Sequence, residues 1–176
     1  MTPRIQKAID IFLDAINEGT LAKGTCTACA VGNLVAHGMG AKINYSSGFG
    51  YRALDPNGRT VNNQKWSYFF ITYRDGIRKG GLLGRVRSFS EIARFPDLQE
   101  AIDNIGFTLE ELSQIEYAFE TNTEIAFENY WKNTPEDIRA DQIRGLEAVV
   151  KVMLKFDEQE DDVKEVFTSK AELIPC

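Results

Sequence analysis

Phe107-Thr108-Leu109-Glu110-Glu111-Leu112-Ser113-Gln114-Ile115-Glu116-Tyr117-Ala118-Phe119 decides the fold. Thr108 followed three residues later by Glu111 has the form of a capping box. The hydroxyl takes a first-turn N–H, and the carboxylate reaches back to the cap's own N–H. Phe107, just outside the cap, is placed to staple onto Leu112. Leu109, Leu112, Ile115 and Phe119 then recur at helical spacing, so this segment is a helix that buries one stripe. Its carboxylates Glu110, Glu111, Glu116, Glu120 and Glu124 are numerous, and Glu116 and Glu120 share a face. No Glu-x-x-His accompanies them, as a di-metal bundle site requires, so they read as a solvated face.

The same logic extends downstream. Glu124–Trp131 reads as a further helical piece carrying Ile125, Phe127, Tyr130 and Trp131. Thr134-Pro135-Glu136-Asp137 combines an N-cap, a proline at the first helical position and first-turn acids favoured by the helix dipole. Ile143, Leu146, Val150, Met153 and Leu154 continue that helix on one face, with an expected end near Phe156. Residues 157–176 read as an acidic tail whose last part is a loose helix or unstructured.

Upstream, Pro96–Ile105 is a short helix closed by Gly106. At the start of the chain Thr2 and Pro3 open a helix with Ile5, Ile9, Phe12 and Ile16 on its buried stripe and Gly19 as its stop. Thr25 is the expected cap of a second helix running to about Ala36. Gly32 inside it marks a place where another backbone comes close, and Gly38 and Gly40 end it. Residues 38–94 lose the helical period. Asp55-Pro56-Asn57-Gly58 is a turn, with Tyr51–Leu54 and Arg59–Val61 as the arms of a small hairpin. Trp66–Tyr73, aromatic and β-branched, fits a strand, and a buried helical turn nearly as well. The expectation is a single, mainly α domain of five to six helices: residues 1–37 hold the N-terminal helices, 38–94 an irregular aromatic and basic insertion with a hairpin, and 95–156 the helical core.

Composition narrows the function. The 176 residues carry a net charge of −6 and a pI of about 4.9. Binding to duplex nucleic acid needs a dense Lys/Arg surface to release counterions, so broad binding of that kind is disfavoured. No apolar run is long enough to span a bilayer, and no basic–apolar–small leader opens the chain. A cytoplasmic location is expected, and with it reduced thiols.

The densest chemistry is Cys26-Thr27-Ala28-Cys29, with the only histidine, His37, shortly after. Three readings stand. Cys26 on the first turn of a helix would be a low-pKa redox thiol. Cys26 and Cys29, with Cys176 folding back, would supply thiolates to zinc. Or the two sulfurs fill a tight contact against the N-terminal and final helices. His37 lies eight residues beyond Cys29, about 12 Å along a continuous helix, too far for a shared ion or a Cys–His catalytic pair. Asp55–Gly58 lacks the ligand alternation of a calcium loop. Arg74, Arg78, Lys79, Arg85, Arg87 and Arg94, flanked by Tyr68 and Tyr73, read as a phosphate or nucleotide contact or as a solvated loop. No P-loop ending follows Gly80–Gly84.

Cys26-Thr-Ala-Cys-Ala-Val-Gly-Asn33 resembles a segment of small proteins from Bacteroidetes and their phages, as do Phe107–Glu116 and Gly145–Asp157. Members often bear the name of a component of the sodium-translocating NADH-quinone reductase. A ferredoxin-type cluster takes four cysteines and this chain has three, so the resemblance implies a family without a known activity. Taken together, the expectation is a non-enzymatic binding protein, of phage derivation, with 38–94 as its contact surface for a protein or small ligand. A metal or thiol protein using Cys26 and Cys29 and a nucleotide or phosphate binder using Arg78–Arg94 are the alternatives.

Overall fold

The computed structural model describes residues 1–25, 27–47, 50–61 and 96–171, with side chains of the last stretch described from 99 to 157. Among these residues the chain is mainly helical, as expected. The elements are α1 (Pro3–Asn17), α2 (Ala30–Gly38), β1 (Lys42–Ser46), β2 (Gly50–Leu54), α3 (Pro96–Ile105), α4 (Leu109–Asn122), a 3₁₀ helix (Phe127–Lys132) and α5 (Pro135–Ala171). No helix among the described residues is long and apolar enough to cross a membrane.

The local signals at the helix ends are realised as bonds. Thr108 Oγ1 accepts from Glu111 N at 3.2 Å, and Glu111 Oε2 accepts from Thr108 N at 2.6 Å, which completes the capping box. Thr134 Oγ1 accepts from Asp137 N at 3.1 Å at the head of α5. Both N-terminal helices close with the same device, in which a residue two beyond the cap bonds back over a left-handed glycine. Thr20 N donates to Ala15 O over Gly19 (φ 67°). Ala41 N donates to Ala36 O over Gly40 (φ 64°). Thr2 holds the cap position of α1 but makes no side-chain cap bond. Its N–H and hydroxyl both donate to the Asp157 carboxylate, at 2.9 and 3.0 Å.

Those bonds set the layout. Thr2 meets Asp157, while Arg139 Nη2 donates to Asn17 Oδ1 at 3.1 Å, so α1 runs antiparallel to α5. Arg4 bridges Glu111 at 3.1 Å and Asp157 at 3.9 Å, and Arg144 Nε donates to Asn122 O at 3.2 Å, which places α4 antiparallel to α5 as well. Between them lies one core, led by Ile5, Phe12, Leu21, Val31, Leu34, Leu112, Ile115, Phe119 and Met153. Two crossings are too close for a side chain. A Cβ on Gly38 would lie 2.3 Å from Ala101 O on α3. One on Gly145 would lie 2.5 Å from Thr123 Cγ2 and 2.9 Å from the Phe119 ring.

Three expectations are corrected. α5 does not stop near Phe156 but runs to Ala171. Residues 157–171 contain neither glycine nor proline, and Glu160 and Lys164 stand four apart, so nothing in that acidic stretch breaks a helix. The principal hairpin pairs β1 with β2 in antiparallel register, Tyr45 opposite Tyr51. The strand β1 was not foreseen because Lys42, Asn44 and Ser46 dilute its β-forming signal. The expected turn is present beside it: Asp55 Oδ1 accepts from Asn57 N and Arg59 N at 2.9 and 2.8 Å, and Leu54 bridges Thr60. Finally, α2 packs on α3, with α1, α4 and β1 around it, rather than between the N-terminal and final helices.

Candidate functional site

The Cys-x-x-Cys segment precedes α2 instead of opening it. Helix α2 starts at Ala30, and Cys29 is its N-cap, with extended backbone (φ −67°, ψ 174°). The cause is a competition for bonds. In a helix continuing back to Thr25, the Ala28 carbonyl would accept from Gly32 N. Here Gly32 N donates to Cys29 Sγ at 3.2 Å, and Ala28 O accepts from Ala22 N at 2.7 Å. The Thr25 carbonyl closes a separate turn by accepting from Cys29 N at 2.9 Å. Cys29 is buried, at 1 % exposure.

Asn33 is the hub of this loop. It is 6 % exposed, and its Nδ2 donates to Thr20 O, Ala28 O and Cys29 O at 3.1, 3.0 and 3.1 Å. It thereby ties the end of α1 to the start of α2. Helix α4 grips the loop from outside. Glu120 Oε1 accepts from Gly24 N at 3.0 Å, and Glu116 Oε2 accepts from Val31 N, in the first turn of α2, at 3.4 Å. A carboxylate there also meets the positive end of the helix dipole. Glu116 and Glu120 are therefore half-buried clamps and not the solvated face expected from their charge. Lys23 Nζ donates to Thr123 O, and Lys23 O accepts from Phe127 N at 3.0 Å, joining the loop to the 3₁₀ helix.

The hairpin is fastened to the same place by aromatic rings. Tyr45 and Tyr51 pair across the strands at 5.3 Å between centroids, and Phe127 packs edge-on to them at 5.7 and 4.9 Å. Tyr130 extends the cluster at 5.6 Å from Phe127. Tyr51 OH donates to Gly19 O at 3.0 Å. Burial, with Tyr130 and Tyr45 beside it, pushes the Tyr51 phenol up to about 12. Tyr130 OH donates to Leu21 O at 3.3 Å and accepts from Gln142 Nε2 at 3.4 Å, and burial raises its pKa too. The rim of this cluster is open: Tyr45 is 52 % exposed and the neighbouring Trp131 78 %, with the Lys132 ammonium 4.8 Å from its ring.

A groove of about 200 Å³ lies where α1, α2 and β1 meet. Its floor is Ala15, Thr20, Asn33, Ala36 and Ala41, all buried, and its apolar walls are Ile11 and Ile43. Asp14, Glu18, His37 and Lys42 stand exposed around the opening. His37 has its pKa lowered, first by partial burial and then by Lys7, against a smaller opposite pull from Asp14.

The expected site residues divide sharply. Of the zinc set only Cys29 is described; Cys26 and Cys176 lie outside the described residues, as do Arg74, Arg78, Lys79, Arg85, Arg87, Arg94, Tyr68 and Tyr73. Cys29 and His37 sit at opposite ends of an unbroken α2. Among the described residues, no group of three or more His, Cys, Asp or Glu is placed to hold a metal ion. Asn33, the Glu116–Glu120 clamp and the Tyr45–Tyr51–Phe127 cluster were not singled out from the sequence. Only the cross-strand tyrosine pair had a local signal, and it needed the unforeseen β1. No family model, curated protein or solved structure matches the chain.

Proposed function

We propose that this chain is a non-enzymatic, cytoplasmic binding protein, of phage derivation, that uses the insertion 38–94 as its contact surface for a partner. The observation that carries the reading is the half-open aromatic cluster, with Tyr45 52 % exposed on a hairpin that packs against Phe127 of the helical body. Exposed aromatic rings on a fixed support suit recognition, because they offer large contact area at little entropic cost. The chemistry-bearing groups around it serve structure: Glu116 and Glu120 bind backbone N–H groups, Asn33 binds carbonyls, and Asp141 accepts from Glu124 N and Ile125 N, both at 2.9 Å. The net charge of −6 disfavours a duplex nucleic acid as the partner.

The test is photo-crosslinking in cells, with benzoylphenylalanine placed at Tyr45 or, as control, at the exposed Glu110 on α4. A discrete adduct from position 45 that is absent from position 110 is expected. No adduct at 45, or the same adducts at both, overturns the reading.

One observation favours a thiol role as second reading. Cys29 Sγ accepts an N–H at a helix N-terminus, where a thiolate is stabilised. Alkylation rates of Cys29 across pH test it in a Cys26→Ser, Cys176→Ser background. An ordinary thiol pKa near about 8.5 removes this reading, and a value well below it supports it.

A further inference from the structure

The exposed branched aliphatic side chains among the described residues are Leu13, Ile143 and Leu154, and they share one face. The Asn17–Arg139 bond sets the register between α1 and the antiparallel α5. One turn further along each helix, Leu13 and Ile143 stand side by side at the seam. From Ile143, positions 147, 150 and 154 continue the same line of α5. Leu154 closes the face about 16 Å away, with the half-buried Val150 between. The exposed charges on α5 between Ile143 and Leu154 are Arg144, Glu147 and Lys151. Arg144 is turned to α4, where it bridges Asp141 and Glu124. Glu147 and Lys151 make no hydrogen bond or ion pair among the described residues. The charges of α1 are engaged or face elsewhere. Asp10 accepts from Gln6 Nε2 at 2.9 Å, Lys7 Nζ donates to Asn104 O on α3, and Asp14 lines the groove against α2 and β1.

We propose that a second copy of this chain docks on this face, α5 crossing the partner's α5 antiparallel about a two-fold axis near Val149. The face is self-complementary about that point. Ile143 and Leu154 lie equally far to either side of the Ala148–Val149 peptide, and Glu147 and Lys151 equally far to either side of Val149. One axis therefore brings Leu154 between the partner subunit's Leu13 and Ile143, and Glu147 onto the partner subunit's Lys151, each contact made twice. Charge also limits the contact. In the same register Glu136 and Asp137 oppose the partner's acidic positions 162 and 161. At the commonest helix crossing of about 50°, two helices have parted by about 17 Å at that distance from the axis, beyond a screening length of about 8 Å. The acids therefore favour a short crossing over a side-by-side pair. Only about 16 Å of each helix engages, so the area falls below the roughly 1,200 Å² of a standard interface and the dimer is reversible.

Sedimentation equilibrium of the full chain, carried to about 1 mM, reads the association. The expected result is a monomer–dimer equilibrium with a Kd of about 0.1 mM or tighter. Leu154→Asp, at an exposed position that leaves the helical circular dichroism unchanged, weakens it at least tenfold. Glu147→Lys and Lys151→Glu each set like charges across the axis and weaken it at least fivefold. Mixed in equal amounts, these two variants regain the parental affinity as a heterodimer, because one chain then presents two ammonium groups to two carboxylates of the other. A docking site for a different protein would show no such restoration. A chain that stays monomeric to about 1 mM, a dimer that tolerates Leu154→Asp, or a mixture that associates no more tightly than either variant alone overturns the proposal. Tyr45 belongs to the hairpin and not to α1 or α5, so crosslinking from it succeeds or fails separately.

Discussion

Replacing Asn33 with leucine should cost the fold about 2–4 kcal/mol. The side chain is 6 % exposed, so solvent cannot replace what it gives. Its amide nitrogen serves three carbonyls with two protons, at 3.1 Å to Thr20 O, 3.0 Å to Ala28 O and 3.1 Å to Cys29 O. The three losses are unequal. Ala28 O keeps Ala22 N at 2.7 Å, and Cys29 O keeps Asn33 N at 3.0 Å. Thr20 O has no other partner among the described residues, so it carries the full penalty of a buried unpaired acceptor, about 1–3 kcal/mol. The two shared bonds add about 0.5 kcal/mol each or somewhat more. Leucine has a similar volume, so little of the effect comes from a cavity. Urea unfolding followed by helical circular dichroism reads the change as a shift in midpoint at constant slope. Asn33→Asp should be worse at neutral pH, because it sets a buried carboxylate against three carbonyl oxygens. Its folded-state pKa would be raised, so the penalty should relax as pH falls through that value toward the unfolded one near about 3.9. A loss below about 0.5 kcal/mol for Asn33→Leu would show that this residue does not tie α1 to α2.

Three other outcomes follow from single sites. Gly145→Ala gains up to about 1 kcal/mol of helix propensity but drives a Cβ to 2.5 Å from Thr123 Cγ2 and 2.9 Å from Phe119, both buried. Overpacking of about 1–3 kcal/mol should win, seen as a lower Tm. The His37 imidazole should titrate below its ordinary 6.5 by proton NMR, and Asp14→Asn should lower it further by removing the one carboxylate that raises it. Because the unfolded chain then binds more protons in that window, the contribution present above 6.5 is lost as pH falls through the folded value. In ultraviolet titration one tyrosine should ionise only near about 12, and Tyr51→Phe should remove that step.

The helices were legible because their signals are local. Thr108 and Glu111 stand three residues apart, as do Thr134 and Asp137, and each pair forms the bonds its spacing implies. The core stripe of α4 follows from the same periodicity. What escaped is what distant partners decide. Gly32 N had two possible acceptors, and the Cys29 sulfur won because Ala22, outside the helix, took the Ala28 carbonyl. Glu116 and Glu120 look like any exposed acids until a loop 85 and 96 residues earlier in the chain presents its N–H groups to them. Gly38 reads as a stop, and only the passage of α3 across it shows that it is also a contact. The groove was invisible for the same reason: Ala15, Ala36 and Ala41 are ordinary alanines until three elements converge on them.

We propose that the Cys29 loop is a structural joint that holds no metal. Cys29→Ser, compared with the parent chain for unfolding free energy and bound zinc, tests it most directly. A serine hydroxyl can take the Gly32 N–H that the sulfur accepts at 3.2 Å, and serine is a favoured N-cap. Stability within about 1 kcal/mol of the parent and no stoichiometric zinc in either protein are expected. One zinc per parent chain, lost in the variant together with several kcal/mol of stability, would contradict it.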